Sequence, residues 1–339
     1  MPERDVGVVM LAYGAEPVIH EAIAAVATSR GVGVSLVVVD NGCLRTDLAD
    51  LCARHGAALV TPEHNLGFAG GVDEGARHVD APYLGLVNSD AVVHPDALAV
   101  LAGVAAEPGV GIASGSIRLA DDPDRMNSAG NPFHVLGLSW AGGLGEPATA
   151  HGSARDVASA SGAGLVLRRE VWDRLGGFPP EFFAYQEDLE LSWRAWQIGL
   201  AVRYVPDAIV VHHYEFSRNP RKMFLLERNR MLVVLTCYGT RTLVLLAPAL
   251  LGLEVGMVVL AATQGWLTQK VRGWWWVLGH LAWVGERRRL VQGMRTVSDR
   301  DLAGLWSVRF DAAAMPLPRW GQPLQSLLAG YWRLVRRVL

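Results

Sequence analysis

Two carboxylates in tandem are the residues of this chain best suited to chemistry. Glu187-Asp188 opens a segment of helical pattern, with Glu190 and Arg194 behind it. The helix dipole helps keep carboxylates ionised at such a start. An ionised carboxylate beside a bound sugar can take the proton of an attacking hydroxyl, the general-base step of a single displacement at an anomeric carbon. The competing reading is a solvated capping cluster. Glu190 and Arg194 have the i,i+4 spacing of a helical ion pair.

Asn88-Ser89-Asp90 follows an apolar strand and puts a hard oxygen ligand at a sheet edge, where a divalent cation could bridge a diphosphate. A lone Asp after a strand is equally a turn residue. His212-His213 ends another apolar run, and a neutral imidazole there could complete a metal site with Asp90. Asp40 closes the run Val37–Val39 in an Asp-Asn-Gly turn. Its carboxylate could accept from the imide N–H of a pyrimidine base, or cap its own turn. Asn65-Leu66-Gly67 begins a glycine-rich loop, through Gly71, whose backbone is free to approach a nucleotide or its phosphates. It is neither a Rossmann fingerprint nor a Walker loop. Arg218, Arg221, Lys222, Arg228 and Arg230 form a basic segment, either a solvated face or a clamp on phosphates.

The elements that must hold these residues alternate between strand and helix. Val6–Leu11 and Ser35–Val39 are continuous β-branched runs, as buried parallel strands read, with helical periodicity between them. Strands are expected over 57–61, 83–88, 110–116 and 158–168, and helices over 48–55, 71–79, 95–106, 170–175 and 187–198, with 117–150 a long loop region. Such alternation predicts one doubly wound α/β domain with a mostly parallel sheet flanked by helices.

Beyond residue 218 the character changes. A basic helix around 221–235 leads into Thr242–Thr263, apolar apart from Glu254 and long enough to span a bilayer. Basic residues flank both of its ends, so the positive-inside rule sets no direction, and a re-entrant or interfacial hairpin is expected. Residues 264–339 hold twelve Lys/Arg against four Asp/Glu, and eight of the twelve Trp, within a chain of net charge -2. Trp with Arg is the composition of a membrane interface, favoured here over nucleic acid. The last helix places Leu328, Tyr331, Trp332 and Val335 on one side, an interfacial pattern. Three cysteines suit a reducing cytoplasm. Val6–Leu11 is too short for a secretory signal, which leaves the body expected on the cytoplasmic side.

The order of these pieces, from about Val6 to Arg230, resembles the family 2 glycosyltransferases of the bacterial rhamnosyltransferase-like branch. Ser161–Gly164, Gly176-Gly177-Phe178 and Phe182-Phe183 add to the match. The resemblance implies a GT-A fold over 1–218 and a membrane-associated helical region over 219–339. It implies an inverting transfer from a UDP- or dTDP-sugar, with dTDP-rhamnose among the candidate donors, to a glycan hydroxyl; the membrane-seeking tail points to a polyprenyl-diphosphate-linked acceptor of the cell envelope, at the cytoplasmic face of a bacterial membrane. Asp188 would be the base and Glu187 would position the acceptor. Asp40, Asn65, Gly67, Asn88, Ser89 and Arg194 would bind the donor. Asp90 with His212 or His213 would hold Mg2+ or Mn2+. Asn88 stands where a full DxD motif has its first Asp, Asp73 replaces a common Asn, and Pro179-Pro180 replaces Asp-Glu.

Two other classes compete. A sugar nucleotidyltransferase would carry a basic glycine-rich loop after the first strand, but Ala12–Glu16 lacks Arg and Lys. A decayed membrane-bound scaffold would have lost Glu187-Asp188, and the pair is intact.

Overall fold

A computed structural model describes residues 5–213, 221–311 and 322–339. In chain order the first elements are β1 (Val6–Gly14), α1 (Ile19–Ala27), β2 (Val34–Cys43), α2 (Leu48–Arg54), β3 (Ala58–Val60), α3 (Gly67–Arg77), β4 (Tyr83–Val87), β5 (Ala91–Val93) and α4 (Ala97–Ala105). There follow β6 (Val110–Leu119), β7 (Met126–Ser128), β8 (Phe133–His134), β9 (Arg155–Asp156), β10 (Gly164–Arg168), α5 (Arg169–Leu175), α6 (Glu187–Gln197) and β11 (Ala201–His212). The remainder is helical apart from β12 (Trp306–Ser307): α7 (Lys222–Cys237), α8 (Thr240–Thr263), α9 (Leu267–Gly279), α10 (Leu281–Met294), α11 (Asp299–Leu302) and α12 (Gln322–Val338).

The chain divides into two compact units. The first comprises residues 1–131, 141–195 and 200–215; the second takes 132–140, 196–199 and 216–339. A boundary at 218/219 falls outside the described residues, as does Arg218.

The first unit is built on a sheet of order β3-β2-β1-β4-β10-β6-β11-β5, with β7 paired to β6 and β9 to β11. β3, β2, β1 and β4 run parallel, as the continuous Val/Leu runs predict. β10 is antiparallel to both β4 and β6, and β5 is antiparallel to β11, so the sheet is mixed on its second half. α1, α2 and α4 pack on one face, where Ile23, Leu51 and Leu101 meet Val8, Met10 and Val38 in a continuous core. α3 lies on the opposite face, and Gly75 permits its close approach: a Cβ there would come within 2.6 Å of Val9 and 2.8 Å of Val39.

Three expectations change. The strand expected over 158–168 begins only at Gly164, because Ser161–Ala163 form a turn that hydrogen-bonds to the site. The stretch 117–150 is less loop-like than its lack of periodicity suggested: β6 continues to Leu119 and β7 folds back on it. In the second unit, the segment expected as a hairpin is one continuous helix, α8, with Pro248 inside it. Leu, Val and Ala dominate there, and a single Pro removes one backbone hydrogen bond without supplying a turn.

Candidate active site

Asp90 stands between β4 and β5 and His212 ends β11, and the antiparallel pairing of His212 with Ala91 brings them together. His212 Nε2 lies 3.0 Å from Asp90 Oδ1, and Nδ1 lies 2.9 Å from Oδ1 of Asn127, on β7. A ring whose Nδ1–H donates to Asn127 would leave the Nε2 lone pair for a divalent ion shared with the Asp90 carboxylate. A carboxylate oxygen and an imidazole nitrogen on one divalent ion, each roughly 2.1 Å from it, stand about 3 Å apart when they are adjacent ligands. The pair therefore fits such an ion, with Asn127 fixing tautomer and ring orientation. Among the described residues no three His, Cys, Asp or Glu converge on one point. His213 joins through its main chain, its N–H donating to the Asp90 carbonyl at 2.8 Å. Ser89 is buried, and Asn88 Oδ1 is buried with no hydrogen-bond partner among the described residues.

The second acidic site is wired to the first by the Ser161–Ala163 turn. Asp188 Oδ2 accepts from the Gly162 N–H at 3.0 Å, and the Asn88 N–H donates to the Ala163 carbonyl at 3.3 Å. Asp188 Oδ1 accepts from the Leu189 N–H at 2.7 Å. Burial raises the Asp188 carboxyl, while those N–H groups hold it down. Glu187 is only 6% exposed, and its Oε2 has no hydrogen-bond partner among the described residues. Burial, and then the charge of Asp188, push Glu187 up to about 8. Burial therefore favours the protonated form of Glu187 at neutral pH, while the N–H groups on Asp188 favour its ionised form.

The backbone presenting this pair is strained. Phe183, Tyr185 and Gln186 all have positive φ (61°, 73° and 66°), at roughly 1–3 kcal/mol each. The glycine-rich loop holds them: the Ala69 N–H donates to the Phe183 carbonyl at 3.0 Å. Gly67, at φ +73°, packs so closely that a Cβ would collide with that carbonyl and with the Phe183 ring.

Asn41 anchors the loop in turn. Its Nδ2 donates to Asn65 Oδ1 (2.9 Å) and the Gly67 carbonyl (3.1 Å), and its Oδ1 accepts from the Leu66 N–H (2.8 Å). Asn65 Oδ1 also accepts from the Gly67 N–H at 2.8 Å, so the Asn65 carbonyl group shapes the turn. Beside it, Asp40 Oδ1 accepts from the Gly42 and Cys43 N–H groups at 3.2 and 2.8 Å, while Oδ2 has no partner among the described residues.

Arg194 does not reach this cleft. It is wholly buried, 2.6 Å from Glu190, with its guanidinium donating to the carbonyls of Leu175 and Gly177. The i,i+4 pairing holds, whereas donor binding does not suit a guanidinium whose hydrogens are used inside the core. Arg228 and Arg230 are likewise buried within the second unit: Arg230 pairs with Glu227 and Glu254, and Arg228 lies over the Phe224 and Trp276 rings. A phosphate clamp from these two is therefore not what the structure contains. Asn41 and Asn127 escaped sequence reasoning. Asn41 was visible only as the middle of a turn motif, and Asn127 sits where periodicity gives no signal.

The sequence matches the family described as Glycosyltransferase like family 2 over residues 2–232, and the chain belongs to that family. The N-acetylglucosaminyl-diphospho-decaprenol L-rhamnosyltransferase of Mycobacterium tuberculosis is 40% identical over 65 residues, 19% of this chain and 21% of that protein. The match thus spans about a fifth of that relative's length. The mannosyltransferase PcManGT from Pyrobaculum calidifontis, solved with GDP-Man and Mn2+, superposes with a TM-score of 0.51 at 16% identity, covering 98% of this chain and 86% of that one. GalNAc-T7, solved with UDP, GalNAc and Mn2+, gives 0.56 at 16% identity over 68% of this chain and 48% of that one. The fold is the GT-A glycosyltransferase fold.

Proposed function

We propose that the chain transfers a sugar from a UDP- or dTDP-sugar to a hydroxyl of a polyprenyl-diphosphate-linked saccharide, with inversion at the anomeric carbon. The observation that carries this reading is the turn Ser161–Ala163, which ties the Asp188 carboxylate to the strand end bearing Asp90. Asp188 takes the proton of the acceptor hydroxyl, whose oxygen forms the new bond to the anomeric carbon as the bond to the donor diphosphate breaks. A single displacement inverts that carbon. Glu187, holding its proton at neutral pH, donates a hydrogen bond that positions the acceptor.

Asp40 uses its free oxygen for the pyrimidine imide, and the main chain of Asn65–Gly67, with Asn88 and Ser89, lines the donor. Asp90 and His212 would hold Mg2+ or Mn2+, which when bound offsets charge on the leaving diphosphate. The Mn2+ in the two structural neighbours supports a divalent ion. The name of the mycobacterial relative supports rhamnose as the sugar and a decaprenyl-diphosphate-linked acceptor. Residues 1–218 form the catalytic part. Residues 219–339 attach to the cytoplasmic face of the membrane, where such an acceptor resides.

The test is release of UDP or dTDP from a panel of nucleotide sugars by the purified full chain, with and without Mn2+. Turnover is expected with one donor and only with metal. Asp188→Asn is expected to abolish it while sparing donor binding. Full activity in that variant, or metal-independent turnover, defeats the mechanism.

A further inference from the structure

α8 is 24 residues long and is the one helix among the described residues long and apolar enough to cross a bilayer. It is packed against very little: Val244, Leu251, Val255 and Val259 form a stripe at helical spacing, each more than half exposed. An exposed apolar stripe of this kind marks a protein or membrane contact surface.

The opposite side of α8 says how it is covered. Glu254, near mid-helix, faces inward to an ion cluster drawn from three helices. Lys270 of α9 lies 2.6 Å from it and is fully buried, and the Trp274 Nε1–H donates to it at 2.9 Å. Arg230 of α7 pairs with Glu254 and also, at 3.4 Å, with Glu227, which Lys270 reaches as well. Two acids and two bases balance, so the cluster is neutral.

We infer that α8 lies in the plane of an anionic lipid surface, its valine–leucine stripe immersed, and does not cross the bilayer. This inference rests on the membrane-attachment reading above. The 24 residues span about 36 Å against a hydrocarbon core of about 30 Å, so a crossing would set Glu254 close to the bilayer centre. Lys270 would go with it, and so would the exposed Arg272, about one-half turn further along α9. An exposed Arg at that depth disfavours insertion on the order of a hundredfold. α9 and α10, of 13 and 14 residues, are about 20 Å long, too short to cross beside α8 and shield it. Lying flat, the same cluster stays on the protein side, and the excess of arginines in residues 264–339 meets anionic headgroups.

The experiment uses the full chain. Arg241→Cys and Gln264→Cys, at the two ends of α8, are expressed separately in a bacterial host and treated with a membrane-impermeant maleimide, with the wild-type chain as background for Cys43, Cys52 and Cys237. Both ends are expected to label only after permeabilisation. In parallel, the purified protein is floated with phosphatidylglycerol-containing vesicles. Binding is expected, with about a tenfold loss for Val255→Glu. Labelling of one end in intact cells overturns the in-plane placement while leaving membrane attachment and transferase activity standing. Failure to float, with the chain instead a stable dimer in solution, overturns the lipid surface in favour of a second copy. Sugar transfer is assayed separately, so neither outcome is confused with loss of catalysis.

Discussion

Replacing Glu187 by Gln should stabilise this protein, and by an amount that grows with pH. The buried carboxyl titrates at about 8 in the folded chain against 4.5 for the ordinary group. Between those values the unfolded chain has released the proton and the folded chain still holds it, so stability falls as pH rises through that window. At about 1.36 kcal/mol per pH unit, the loss is about 3 kcal/mol at pH 7 and approaches about 5 kcal/mol above pH 8. A neutral Gln carries no such penalty. These figures are ceilings, because the amide must itself find partners where Glu187 Oε2 has none among the described residues. Scanning calorimetry of wild type and Glu187→Gln at pH 5, 7 and 9, without ligand, measures the difference. Little change is expected at pH 5 and the largest rise in Tm at pH 9. An equal shift at pH 5 and pH 9 would show that packing rather than ionisation is responsible, and a lower Tm at pH 9 would rule out an ionisation penalty at Glu187. Because Gln keeps a donor where the protonated Glu187 has one, turnover at pH 7 should fall by less than the about 100-fold that removal of a general base costs.

Three further outcomes are expected. Asn41→Ala strips the Leu66 N–H of its partner and loosens the loop on which Phe183 rests; a loss of about 1–3 kcal/mol in urea unfolding, together with a lower kcat, is expected, and an unchanged kcat would uncouple the loop from Asp188. Asn127→Ala frees the His212 ring and should raise the Mn2+ needed for half-maximal turnover about 10–100-fold; an unaltered Mn2+ dependence would remove Asn127 from the site. Arg194→Leu leaves Glu190 charged and buried, costing about 3–5 kcal/mol by thermal unfolding, whereas nucleotide affinity measured below Tm should not change.

The sequence alone carried the family, the alternation of strand and helix, and the order in which the acidic and histidine positions occur. These are legible because they are local: a β-branched run such as Val37–Val39 or a helix opening such as Glu187-Asp188 declares itself within a few residues. What needed the tertiary structure was every relation across the sheet. The β5–β11 pairing decides that His212 meets Asp90 through its side chain while His213 contributes its main chain. The turn at Ser161–Ala163 gives Asp188 the Gly162 N–H, which favours its ionised form, while burial pushes the Glu187 carboxyl up. Arg194 shows the same limit from the other side: its residue type and spacing allowed either a helical ion pair or a donor contact, and burial beneath Leu175 and Gly177 left only the first. Charge location and ligand geometry depend on desolvation and on partners from distant segments, quantities that exist only once the chain has folded.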